Sequence, residues 1–194
     1  IPSDWYEYFV TVDAYRDFLL KMRTYQDYRT LCKITSNSNS RAVADRRALS
    51  MLLQDRCFPI PVIKDAPQIR SVHFWKKGYS TFHIEGDIEI NVYHGKFPVT
   101  AQQETPNEPC PFHVSHDSSY QYDSGSFVTD KGLHVEKCLK ILPDSDHYGD
   151  VVYGILFLDK YWIIIQPTET YDKETVQMIE NILDHLTIEI VEIP

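Results

Sequence analysis

The chain has 194 residues, a formal charge of −9, a pI near 5.3 and 43% hydrophobic residues. That is apolar material enough for one ordinary domain spanning 1–194, which argues against disorder. The acidic surface has no Lys/Arg cluster to offset it, so it repels nucleic acid and anionic membranes, and no apolar run reaches the roughly 18 residues of a membrane helix.

Taken in order, residues 1–10 hold four aromatics, with Trp5, Tyr6 and Tyr8 offering a contact strip. Thr11 is suited to cap a helix over 12–28, in which Val12, Tyr15, Phe18, Leu19, Met22 and Tyr25 recur near the helical period. SNSNS at 36–40 is a polar loop, and a second helix is predicted at 41–54. These helices make 11–55 the helical part of the domain and 68–192 its sheet part.

The three prolines of 57–67 forbid a helix and predict an extended connector. Val72 and Phe74 then alternate with His73 and Trp75. Ile88, Ile90 and Val92 alternate with Glu89, Asn91 and Tyr93, and Gly78 and Gly86 mark turns. A period of two broken by glycine turns predicts a three-strand antiparallel meander with one apolar face.

Residues 95–131 carry four prolines and little periodicity, and such long irregular segments often hold function. Residues 133–142 fit a strand or a short helix. Runs at 151–158 and 161–167, joined through Asp159 and Lys160, predict a central hairpin ended by Pro167. A helix at 172–185 and a closing strand carrying Leu186, Ile188 and Ile190 should pack back on that hairpin. The predicted fold is therefore α+β: a mainly antiparallel sheet of about six or seven strands, with helices packed on one face.

Three residue groups offer chemistry. Cys110, His113, His116 and Asp117 supply thiolate, imidazole and carboxylate within eight residues, the donor types zinc takes, though the spacing matches no standard zinc pattern. Asp144, Asp146 and Asp150 around Gly149 half-match a calcium loop, with Tyr148 at the fifth position and Ile155 where a bidentate Glu belongs. Ser124 and Ser126, with Asp123, His113 and His116, hold the residue types of a hydrolase but no nucleophile elbow. With only seven glycines, no phosphate loop is present, and the sequence requires no cofactor.

The thirteen tyrosines include Tyr120 and Tyr122 beside the irregular segment, and exposed tyrosine favours recognition of protein or carbohydrate. The four cysteines leave the compartment open: two disulfides would suit export, and four thiols the cytosol. Ile1 in place of Met would follow from removal of a leader.

Residues 11–20, 57–64, 71–93 and 151–190 together resemble uncharacterised extracytoplasmic domains of Gram-positive bacteria, and the final strand–helix–strand is similar in outline to the end of PsbP-like domains. The resemblance implies a leader and an extracytoplasmic location, and it carries over no functional residue. The chain reads first as a non-enzymatic binding domain, exported, whose contact surface is the aromatic strip with the 100–131 loops. The alternatives are a metal-binding or hydrolytic module built on 110–117, and a cytosolic adaptor or immunity-type protein binding a basic partner.

Overall fold

The computed structural model describes residues 6–21, 57–65, 67–75, 79–93 and 119–193. In chain order these form β1 (Tyr6–Phe9), α1 (Val12–Lys21), β2 (Cys57–Ile63), β3 (Ile69–Trp75), β4 (Tyr79–Ile84), β5 (Ile88–Tyr93), β6 (Gln121–Val128), β7 (His134–Ile141), β8 (Tyr148–Phe157), β9 (Tyr161–Pro167), α2 (Lys173–His185) and β10 (Leu186–Glu192). Eight strands make one antiparallel sheet in the order β1-β3-β4-β5-β9-β8-β7-β6, and β10 pairs with β2 in a separate two-stranded sheet. The meander β3–β4–β5 and the meander β6–β7–β8–β9 join where β5 meets β9.

The antiparallel, sheet-rich character agrees with the periodicity, but the strand count exceeds six or seven. The extra strands are those with weak apolar alternation. β1 has four residues, β6 is exposed along nearly all of its length, and β2 was expected only as a connector. Residues 133–142, ambiguous in sequence, are strand β7. Helix 12–28 is seen as α1 up to Lys21 and helix 172–185 as α2, whereas the helix at 41–54 lies outside the described residues.

β2 shows how a proline-rich segment enters a sheet. Lys64 N–H donates to the His185 carbonyl at 3.5 Å, so in this strand even-numbered residues turn their amides toward β10. Pro59 and Pro61 occupy the alternate positions, whose amides would point away from the partner, and their missing N–H groups cost the ladder nothing. The closing strand thus leaves the hairpin it was expected to join and pairs with the connector instead.

Alternation along the strands gives the main sheet two faces. The first face buries Val72, Phe74, Phe82, Ile90, Val92, Tyr153, Ile163 and Ile165 in one cluster with Tyr15 and Leu19 of α1, Phe58 and Ile60 of β2, and Ile179, Ile182 and Leu183 of α2. Both described helices and the β2–β10 pair therefore lie on this face. Thr11 caps α1, accepting from the Ala14 amide at 3.1 Å, and Asp172 caps α2, accepting from the Thr175 amide at 2.8 Å. The Tyr153 hydroxyl donates to Glu180 of α2 at 3.1 Å, and burial beside that carboxylate pushes the phenol well up from its ordinary value.

Candidate functional site

The second face carries the side chains left over by the same alternation. Trp75, Tyr79, Tyr93, Trp162 and Leu156 fall opposite one another on β3, β4, β5, β9 and β8, forming one row across the sheet. Trp75 and Tyr79 stack at 5.8 Å, and Tyr79 and Tyr93 at 5.1 Å, both near parallel at 22°. Burial, then Tyr79 and Glu89, push the Tyr93 phenol up to about 12.

A polar chain runs beside the row. Trp75 Nε1 donates to Thr81 Oγ1 at 2.8 Å, and the Thr81 hydroxyl donates to Asn91 Oδ1 at 2.6 Å. Asn91 Nδ2 and Gln166 Nε2 both donate to Glu89 Oε1, at 3.1 and 2.8 Å. Thr81 and Asn91 are each 4% exposed, so these bonds are what makes their burial tolerable.

Further along the same face, His73 packs edge-on to His83 at 4.7 Å and against Tyr8 at 4.9 Å. Burial, and then the neighbouring His83, lower the His73 pKa. The folded chain thus holds a neutral ring where an unfolded chain would take up a proton below about pH 6.5. Stability present above that pH is lost as the pH falls through the folded value. His73→Gln, which cannot titrate, should therefore lose less stability than the parent between pH 7 and pH 5 in urea titrations. Equal losses would contradict this.

Of the residues singled out in the sequence, those described lie in separate places. Cys110, His113, His116 and Asp117 lie outside the described residues, as does Trp5. Tyr6 and Tyr8 belong to β1, and Tyr8 is 52% exposed. Tyr120 lies just before β6 with Lys140 Nζ 4.3 Å over its ring, and Gly149 gives that pair room, since a Cβ there would stand 2.9 Å from Tyr120. Tyr122 packs on the second face against Cys138, Val152 and Ile164. β1 and β6 are opposite edges of the sheet, about 34 Å apart at ordinary strand spacing, so the tyrosines do not form one strip.

The acidic half-loop lines an open cavity of about 530 Å³ between the β7–β8 connection and the start of α2. Lys173 Nζ there lies 2.6 Å from Asp146 Oδ1, which lowers the pKa of the carboxyl and raises that of the amine. Asp150 turns back to accept from the Val151 amide at 2.9 Å, and burial raises its pKa. Asp144 takes the left-handed backbone at φ 57°. Among the described residues no three His, Cys, Asp or Glu side chains gather as a metal site. The serines of the hydrolase reading sit mid-strand in β6, where Ser126 Oγ donates to Glu136 at 3.0 Å and Asp123 pairs with Lys137 at 2.9 Å.

The feature that periodicity did not reveal is an apolar corner. Val128 (55% exposed) and Leu156 (40%) fall in one row of the second face with His134 between them, and Leu158 (61%) follows in the turn after β8, while Phe127 (37%) stands on the opposite face at the end of β6. Val128 opposes His134, and Val135 opposes Ile155, which brings Val128 and Leu156 to the same end of the second face. Leu158 and Asp159 both take positive φ in the turn, a conformation better suited to Asn or Gly, and it holds Leu158 outward. Exposed apolar side chains that fall close together, unlike scattered ones, mark contact surfaces. No family model, no curated protein and no solved structure matches the chain.

Proposed function

We propose that this is a non-enzymatic interaction domain that binds protein through the β6 edge and the apolar corner beside it. The observation that carries the reading is the exposure of Val128, Leu156 and Leu158 at one end of the second face, beside the exposed strand β6. A protein partner is favoured over a carbohydrate because Trp75, Tyr79 and Tyr93 stack on one another. Their ring faces are turned to neighbours in the row instead of outward, where a sugar would need them. Export is supported by Cys138, which is disulfide-bonded. A persistent disulfide suits an oxidising compartment and speaks against the cytosolic adaptor.

A photo-crosslinking side chain placed at Leu156 or Val128 tests the reading, with Gln177 on the exposed side of α2 as control. Adducts with a discrete protein from the two corner positions, absent from the control and competed by unlabelled chain, are the expected result. Equal labelling from all three positions, or none from the corner, would refute it.

A further inference from the structure

We infer that the β6 edge is filled by a second copy of this chain, paired strand to strand about a two-fold axis at Gly125. The inference rests on the interaction reading above and names its partner. The direction of the backbone groups is fixed by one bond: Thr129 N–H donates to the Leu133 carbonyl at 2.9 Å, in continuous register with β6–β7. Odd-numbered residues of β6 therefore turn their amides to β7. Ser124, Ser126 and Val128 turn theirs to the open edge, with which no strand pairs among the described residues.

The other strand edges are guarded in ways proteins commonly use against edge pairing. β1 is four residues long. β2 presents Pro59 and Pro61 outward, and β10 is flanked by α1, whose Arg16 reaches Glu189 at 2.8 Å. β6 has eight residues, no proline and no lysine, and its one charge, Asp123, is already neutralised by Lys137.

The strand is also complementary to itself. Antiparallel pairing centred on Gly125 sets Ser124 against the partner's Ser126, a hydroxyl–hydroxyl pair. Ser124 and Ser126 then exchange backbone bonds, through groups that face out. The two glycines form the close, non-bonded pair on the axis. Within its own chain Gly125 has no evident reason to be glycine: its φ is not positive, and an added Cβ would meet nothing within 4 Å. In the pair, Phe127 stands diagonal to the partner's Gly125 and covers it, a known compensation for a glycine in a strand.

Sedimentation equilibrium of the full chain, over about 1 to 300 µM to suit a small interface, tests this. Two variants accompany the parent. Ser126→Pro removes an outward amide and leaves the bonds to β7. Gly125→Glu sets two carboxylates face to face on the axis, where the chain itself has space. The parent should pass from monomer to dimer, and each variant should associate at least about tenfold more weakly with an unchanged circular-dichroism spectrum. If Ser126→Pro fails to fold, Gly125→Glu decides. A parent that stays monomeric throughout overturns the second copy, while crosslinks from Leu156 to a different protein would keep the interaction reading. A dimer undiminished in the folded variants places self-association elsewhere and overturns it equally.

Discussion

Replacing Tyr15 by Ala should destabilise the protein by about 3–5 kcal/mol, the range for emptying a large aromatic site in a core. Tyr15 is fully buried, its ring 5.4 Å from Phe9, 6.1 Å from Phe74 and edge-on to Phe82 at 5.7 Å. It joins α1 to β3 and β4 across the first face, so the cavity would open between layers that cannot close on it independently. Its hydroxyl lies 2.6 Å from Ser80 Oγ, and burial raises its pKa far above the ordinary phenol value. Tyr15→Phe keeps the ring and removes that bond, and should cost about 1–2 kcal/mol. Urea unfolding of the two variants separates packing from hydrogen bonding. Near-equal losses would mean that the ring contributes little.

Phe58→Ala should cost a similar amount, about 3–5 kcal/mol, although Phe58 lies in a stretch that reads as a connector. Its side chain is fully buried in the same cluster as Tyr15, Ile60, Leu186 and Val191. The β2–β10 pair is thus part of the wall over the first face. A connector that merely spans a gap would lose less than about 0.5 kcal/mol, as surface substitutions do. The same unfolding measurement distinguishes the two roles.

What the sequence revealed followed burial. β3, β4, β5, β8, β9 and α2 each bury one face or both, and their apolar residues keep a period that can be read directly. β6 escaped because nothing apolar recurs in a strand exposed on both faces. β2 escaped because its prolines argue against a ladder until the partner's side is known. Ser80 breaks the apolar phase of β4, and only the Tyr15 hydroxyl, 65 positions away in sequence, accounts for it.

The candidate site was less legible than the fold. The alternation of His73 with Phe74 and of Tyr93 with Val92 showed that a second face existed. Lining up Trp75, Tyr79, Tyr93 and Trp162 needs strand register across β5 and β9, which join strands far apart in the chain. Metal-like spacing at Asp144, Asp146 and Asp150 could not show that Lys173, from another element, sits against one of these carboxylates. The apolar corner joins the end of β6 to the turn after β8, and neither segment is conspicuous alone.

Pairing of two copies requires β6 to be bonded on one side only and open on the other. Residue-resolved amide hydrogen exchange, at a concentration too low for self-association, reads this directly. Gly125 and Phe127, bonded to β7, should exchange slowly, whereas Ser124, Ser126 and Val128 should exchange fast. Slow exchange at all five positions in dilute solution would contradict it, because the edge would then already be filled by the chain itself.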